Sequence, residues 1–154
     1  MDERGRARMV DVGDKKTSAR RALACGRVEM GAAAFEALGS GSAGKGDVLA
    51  VARVAGILAA KRTGELIPLC HPLALDHVAV DFELLEGESA LEIRGSAACT
   101  GRTGVEMEAL CAVGVAALTV YDMLKSMDKG MRITGIELME KSGGKSGRWT
   151  REEP

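Results

Sequence analysis

The feature that most constrains this chain is the stretch from Val105 to Lys129, which has the character of a buried helix. Alanine, glycine and valine dominate its middle, which is apolar almost all round, and such a helix must be covered on several sides. Its longest run of apolar residues and glycine, Ala109 to Leu118, is shorter than the roughly 20 residues that cross a bilayer. The stretch therefore predicts a core helix rather than a membrane span.

Other periodic segments predict the elements that cover this helix. Apolar and polar residues alternate from Val78 to Leu84, and after a turn at Glu86 to Ser89 a second strand begins at Leu91, which predicts a hairpin. Residues 13–21 are polar and basic with no clear period. The remaining predictions are a short extended segment at 9–12, strands at 22–30 and 133–139, a short helix at 32–38 and a helix at 48–62. We expect Asp47 to cap that last helix. Its apolar residues recur every three or four positions, which predicts one buried face, formed by Val48, Val51, Ala52, Ala55, Leu58 and Ala59.

From residue 22 onward the main elements run strand, helix, strand, strand, helix, strand, which is the order of the split βαβ arrangement. We therefore predict an α+β, ferredoxin-like fold (βαββαβ) with an antiparallel sheet and helices packed on one face. The 154 residues suggest a single domain. It would carry a flexible N-terminal tail at 1–8 and a basic, glycine-rich loop and tail at 141–154.

Composition excludes several classes of protein. The net charge is −1, with one Trp, one Tyr and two Phe, which disfavours a basic nucleic-acid binder and an aromatic stacking platform. The charged start has no apolar segment behind it, so we expect no signal peptide. No two cysteines are spaced as CxxC, and we expect reduced thiols in a cytoplasmic protein. The cysteines are Cys25, Cys70, Cys99 and Cys111.

Two segments carry residue types suited to catalysis. Pro68 and Pro72 hold the segment around His71 extended, a rigid frame for a catalytic or ligand-positioning histidine; the alternative is a turn in which the ring caps a carbonyl. Too few ligands surround it for zinc. Glu106 and Glu108 could act as acid and base, although acidic residues in a first helical turn also simply favour the helix dipole.

Asp122 and Lys125 are three residues apart and share a helix face. Next to a buried segment they could transfer protons or hold a phosphate; the alternative is a surface ion pair. Fourteen residues separate Glu108 from Asp122, about 21 Å along a straight helix. If both serve one site, they either span a long substrate or come from different subunits.

Two basic glycine-rich loops, one at Lys45 and one at Lys141 with Lys145, resemble phosphate clamps, because glycine lets backbone N–H groups approach an anion. The alternative is a solvated linker in each case. The chain has Met139 where a P-loop needs glycine, so no Walker motif is present. Two such loops in one small chain favour a polyphosphate ligand.

Several of these segments together resemble the MoaC family of molybdenum-cofactor biosynthesis over about residues 9–148. The most specific are LIPLCHPL at 66–73 and TGVEMEAL at 103–110. Residues 9–12, 45–47, 55–63, 116–123 and 141–147 also fit in order and spacing. Residues 31–44 match poorly, and this chain has Gly64 where the family often has serine or another small residue.

The resemblance implies a synthase that converts 3′,8-cyclo-7,8-dihydroguanosine triphosphate into cyclic pyranopterin monophosphate and releases pyrophosphate, a lyase reaction. It implies a homohexamer, a trimer of dimers, with sites at a subunit interface, and a functional link to the radical S-adenosylmethionine enzyme that supplies the substrate. It implies no resident metal or cofactor and no nucleic-acid or membrane partner, and leaves open whether Mg²⁺ accompanies the triphosphate.

The resemblance also assigns roles to single residues. Asp122 matches the family's catalytic aspartate and Lys125 its partner lysine, and the other catalytic positions are Lys45, His71 and Glu108. The substrate-binding positions are Leu69, Cys70, His71, Glu106, Met107, Glu108, Lys141 and Lys145.

Two other classes stay open at this point. A ferredoxin-like module could bind a nucleoside triphosphate unchanged, which would make the Asp122–Lys125 pair structural. An RNA-binding protein of the same strand order would need an aromatic pattern that residues 78–84 and 91–98 do not supply.

Overall fold

The structure is a computed structural model and describes residues 5–152. Positions 1–4 of the predicted tail therefore lie outside the described residues, and residues 5–8 are exposed without forming a helix or strand. The elements, in chain order, are β1 (Ser18–Glu29), α1 (Ala32–Ser40), α2 (Val48–Lys61), the one-turn α3 (Thr63–Leu66), β2 (His77–Leu85), β3 (Ala90–Gly101), α4 (Glu106–Leu124), β4 (Arg132–Ser142) and β5 (Trp149–Thr150).

The five strands form one antiparallel sheet in the order β2-β3-β1-β4-β5. Helix α4 lies against β1, β3 and β4, while α2 packs beside α4 and against β2. The order of the first four strands is that of the split βαβ unit, so the predicted ferredoxin-like class is confirmed. The short β5 is an addition at the β4 edge.

The core depends on backbones that approach α4 closely. A methyl group added at Gly95 of β3 would lie 2.7 Å from a methyl of Val113, and one added at Gly56 of α2 would lie 2.7 Å from the carbonyl oxygen of Ala112. Neither distance is compatible with ordinary packing. Glycine at these positions therefore lets the sheet and α2 sit directly on the middle of α4.

Within the described residues, α4 alone has the length and hydropathy of a membrane-crossing helix, and half of it is buried inside the molecule. The core helix of a soluble protein meets the same two criteria. Its buried residues are Glu108, Ala109, Ala112, Val113, Ala116, Ala117, Val120, Met123 and Leu124, and most of them pack into the main core.

Several elements differ from the sequence prediction. Strand β1 begins at Ser18, inside the polar segment that shows no period, because its pairing with β3 continues to Ser18 opposite Gly101. Helix α4 ends at Leu124 rather than near residue 129, because the amides of Met127 and Asp128 both donate to the Leu124 carbonyl and turn the chain. The extended segment at 9–12 forms no strand.

Strand β4 is longer than predicted and takes in Lys141, which the sequence placed in a loop. It pairs with β1 up to Ser142 opposite Arg21. The buried face of α2 also differs, because Val51 and Leu58 are each 47% exposed. Gly56 and Ala60 are buried there instead, since the close contact with α4 turns that side of the helix inward.

Candidate functional site

A cavity of about 400 Å³ opens beside the first turn of α4. The two-proline segment forms one wall, where Ile67 is extended and its carbonyl oxygen accepts a hydrogen bond from the Cys70 amide at 3.0 Å. The structure brings six of the residues singled out from the sequence together around this cavity: Leu69, Cys70, His71, Glu106, Met107 and Glu108.

His71 lines the cavity and is half-buried. Within residues 5–152 its ring makes no hydrogen bond to a backbone carbonyl, which argues against a capping role. A histidine held by a rigid segment with free ring nitrogens can orient a ligand.

The two glutamates of the first helical turn lie in different surroundings. Glu106 forms an ion pair with Lys141, with 3.1 Å between Oε1 and Nζ. Glu108 is only 3% exposed. Burial raises the pKa of Glu108, a hydrogen bond to its own backbone offsets part of the rise, and the charge of Glu106 adds to it. The two carboxyl groups therefore lie in different environments, as an acid–base pair requires.

The thiols beside the cavity favour the protonated form. Burial is the largest cause that raises the pKa of Cys70 and of Cys99, and the charge of Glu108 adds to the rise for both. Neither is in a disulfide. A thiol with a raised pKa is a poor nucleophile, so Cys70 is better suited to shaping the cavity wall than to covalent catalysis.

Basic side chains lie near the cavity, and Arg20 is one of them. Its guanidinium donates to the carbonyl oxygens of Gly101 at 3.4 Å and Arg102 at 3.2 Å. Gly143 and Gly144 have φ of +97° and +73°, and a side-chain carbon on Gly144 would collide with the Arg20 guanidinium. Glycine there lets the loop after β4 close over Arg20. Lys145 follows in the same loop and is exposed.

A second polar cluster lies at the other end of α4. Lys125 Nζ donates to Asp122 Oδ1 at 2.6 Å, and Lys45 Nζ donates to Asp122 Oδ2 and to the Asp122 carbonyl oxygen, each at 2.9 Å. The hydrogen bond from Lys125, followed by that from Lys45, lowers the pKa of Asp122 to about 2. Asp122 in turn raises the pKa of Lys125.

These ion pairs contribute little to folding stability, since all three side chains are about half exposed. The cluster nevertheless joins two segments that are far apart in the sequence, because Lys45 reaches Asp122 from the loop between α1 and α2. In such a cluster the ionised carboxylate can accept a proton, and the two ammonium groups can bind an anion.

The two clusters do not meet within one chain. Glu108 and Asp122 occupy the two ends of one helix, and their fourteen-residue separation corresponds to about 21 Å at ~1.5 Å per residue. The sequence prediction that one helix cannot bring both to a single reacting atom therefore matches the geometry. Among residues 5–152 no group of three or more His, Cys, Asp or Glu side chains is placed to hold a metal ion.

Sequence reasoning missed several residues at the cavity. Lys15, Val10 and Val12 line it from the N-terminal segment, and Thr103 lines it from the turn before α4. Arg20 was missed because its segment shows no period. Once β1 is known to begin at Ser18, strand alternation would have placed Arg20 on the helix-facing side with Ala22 and Ala24. His77 is exposed at the start of β2.

Comparison with known sequences gives a consistent result. The sequence model described as the MoaC family matches residues 9–144. A protein of Chloroflexus aggregans named cyclic pyranopterin monophosphate synthase is 61% identical over 153 residues, covering 99% of this chain and 93% of that protein.

Two further relatives carry the same name. The protein of Thermomicrobium roseum is 60% identical over 153 residues, which cover 99% of this chain and 92% of its own length. That of Novosphingobium aromaticivorans is 58% identical over 153 residues, which cover 99% and 96% respectively.

Proposed function

Because this chain belongs to the MoaC family, we propose that it is a cyclic pyranopterin monophosphate synthase of molybdenum-cofactor biosynthesis. Its substrate would be 3′,8-cyclo-7,8-dihydroguanosine triphosphate and its second product pyrophosphate. The observation that carries the proposal is Asp122 held between Lys45 and Lys125, at the positions that the sequence resemblance assigns to catalysis.

The reaction is a lyase reaction in which pyrophosphate leaves. A hydroxyl oxygen of the sugar-derived part attacks the α-phosphorus, the bond from the α-phosphorus to the bridging oxygen breaks, and the hydroxyl proton passes to a base. Asp122 is ionised at neutral pH and can take that proton, but its pKa of about 2 makes it a weak base that holds the proton only in passing. Lys125 and Lys45 stabilise the charge that develops on the phosphate oxygens as pyrophosphate leaves.

The cavity at the other end of α4 would hold the base-derived part of the substrate. His71 and Glu108 orient it, with Leu69, Cys70, Glu106 and Met107 completing the walls. The upward shift in the pKa of Glu108 makes its protonated form easier to reach, and a protonated carboxyl can donate a hydrogen bond to a carbonyl or ring nitrogen.

The triphosphate needs cationic partners, and Lys141 and Lys145 suit this role. Lys141 lies beside Glu106 at the cavity. Arg20, which the sequence did not single out, holds its guanidinium near the same loop and adds a second kind of phosphate donor. The proposal includes no resident metal or cofactor and leaves Mg²⁺ as a companion of the triphosphate alone.

We also propose that the active site is shared between subunits of a homohexamer, a trimer of dimers. The two clusters of one chain are too far apart to act on one atom, so the cavity of one protomer would meet the Asp122 cluster of its partner. Apolar side chains left exposed on the helices support an assembly: Val51, Val54 and Leu58 on α2 and Leu118 on α4. The protein would act in the cytoplasm, downstream of a radical S-adenosylmethionine enzyme, without nucleic acid or membrane.

An activity assay tests the proposal. Purified protein is given the cyclic dihydroguanosine triphosphate, and cyclic pyranopterin monophosphate and pyrophosphate are both measured. We expect both products from the wild type and neither from Asp122→Asn, which should still bind substrate. Asp81→Asn, a matched change at an exposed aspartate of β2, should retain activity. Wild-type protein that binds the nucleotide and returns it unchanged would instead indicate a non-catalytic nucleotide-binding module.

A further inference from the structure

The carboxylate of Asp128 links the turn that follows α4 to the start of α1 through hydrogen bonds. Asp128 Oδ2 accepts a hydrogen bond from the Gly31 amide and Asp128 Oδ1 accepts one from the Gly130 amide, each at 2.7 Å. Asp128 is half-buried. Hydrogen bonds to an ionised acceptor are stronger than those between neutral groups, so this carboxylate is a firm link between positions 97 residues apart.

Asp128 joins the two segments whose lysines hold Asp122. Lys125 lies three residues before it, in the same turn. Gly31 is the N-cap residue of α1, which has no side-chain cap of its own, and α1 leads into the loop that carries Lys45. The Gly31 end is fixed in turn, because the adjacent Met30 amide donates to the Ser89 carbonyl at 3.0 Å.

We propose that Asp128 is a positioning residue, which fixes the turn after α4 against the start of α1 so that Lys125 and Lys45 both reach the Asp122 carboxylate. Its catalytic meaning rests on the proposed function. A second contact, the Tyr121 hydroxyl donating to the Lys129 carbonyl at 3.0 Å, keeps the turn formed without it. Loss of Asp128 therefore lets the start of α1 shift relative to the turn and displaces Lys45 from Asp122, rather than unfolding the chain.

The test reads Asp122 directly, without turnover. The protein is labelled with ¹³C at aspartate carboxyl carbons, the Asp122 signal is identified by its loss in Asp122→Asn, and its shift is followed against pH. In the wild type we expect the pKa near the value of about 2 that the two lysines produce. In Asp128→Ala it rises towards the ordinary value of 3.8, because Lys45 spends less time on the carboxylate.

A second variant removes the donor and leaves Asp128 in place. Gly31 has φ of −70°, which proline adopts, so Gly31→Pro deletes the N–H with a compatible backbone. It should raise the pKa of Asp122 in the same direction, while Asp81→Ala leaves it unchanged. In the activity assay, both Asp128→Ala and Gly31→Pro should lower kcat about tenfold or more, with a smaller change in KM.

The outcomes separate this inference from the proposed reaction. If the pKa of Asp122 rises in both variants while the wild type forms no product, the positioning role stands and the assigned reaction is wrong. If the wild type forms product and the pKa of Asp122 stays near its wild-type value in either folded variant, the positioning role is wrong.

Discussion

The two ends of α4 present carboxylates in opposite states. Glu108 at the first turn is buried, and burial raises its pKa. Asp122 near the last turn is about half exposed, and two lysines lower its pKa to about 2. One helix therefore supplies a group that tends to keep its proton and a group that readily gives it up.

The difference shows that environment rather than residue type sets the chemistry of these positions. Desolvation acts at the first end, because the charged form loses water there. Direct hydrogen bonds from ammonium groups act at the second, where solvent remains. The first effect depends on how tightly the helix packs, and the second on where two flexible lysine side chains are held.

The largest expected effect comes from removing the nearer lysine of the exposed end. Lys125→Met should lower kcat by about 10²–10⁴-fold, the range typical of acid–base groups. It should also raise the pKa of Asp122, because the Lys125 hydrogen bond is the main cause of its depression. The acid limb of the pH profile of kcat/KM should therefore move to higher pH.

Lys129→Met is the matched control, since it removes the same charge four residues later from an exposed position. An equal loss of kcat in the two variants would show that net charge matters and that the contact between Lys125 and Asp122 does not.

An intermediate effect should come from the packed centre that separates the two ends. Gly56→Ala places a methyl group 2.7 Å from the Ala112 carbonyl oxygen, so the free energy of unfolding should fall by about 1–3 kcal/mol, measured by urea denaturation. Among residues 5–152, a methyl added at Gly114 of α4 comes no closer to another element than 3.9 Å, the distance to Ile136. Gly114→Ala should be neutral or slightly stabilising, because alanine favours a helix. Equal stability of the two variants would contradict the close approach of α2.

The smallest effect should appear at the buried end. Folding raises the pKa of Glu108 above its ordinary value of 4.5, so the stability this group contributes is present below about pH 4.5 and is lost as the pH rises through the folded value. Glu108→Gln cannot ionise, and should raise Tm at pH 7 by about 2–4 °C, with the gain disappearing near pH 4.

Thermal scans from pH 4 to pH 8 follow this change. Glu106→Gln, which loses the ion pair with Lys141, should show no such gain at neutral pH. A gain of the same size in both glutamine variants would mean that relief of the repulsion between the two glutamates, rather than desolvation of Glu108, dominates.

Much of the fold followed from patterns that are local in sequence. Alternation at 78–84 gave the hairpin, and the apolar middle of α4 gave the core helix. The start of β1 was missed because its first residues are polar. Pairing with β3 holds them in the strand, and no local period indicates that pairing. The predicted burial of Val51 and Leu58 was wrong, because the close approach of Gly56 to α4 turns a different side of α2 inward.

The candidate site could likewise be predicted only where its residues are close in sequence. Spacing alone placed Asp122 beside Lys125, and two prolines marked the segment of His71. The specific role of Lys45 was predicted from the family resemblance, since no local sequence pattern connects it to a residue 77 positions away. The burial of Glu108 could not be predicted from the sequence, because an acidic residue in a first turn fits an exposed helix end equally well.

The glycine contacts at the middle of α4 also impose an order on local opening. Gly56 and Gly95 place neighbouring backbones directly against Ala112 and Val113, so the central amides of the helix can exchange with solvent only when α2 and the sheet separate from it. The first-turn amides have no acceptor within the helix and the last turn leads into an exposed segment, so protection falls towards both ends even though Glu108 and Leu124 are buried. The helix thus behaves as a slow-exchanging centre with two faster termini, and three of the residues proposed for catalysis, Glu108, Asp122 and Lys125, lie at those termini.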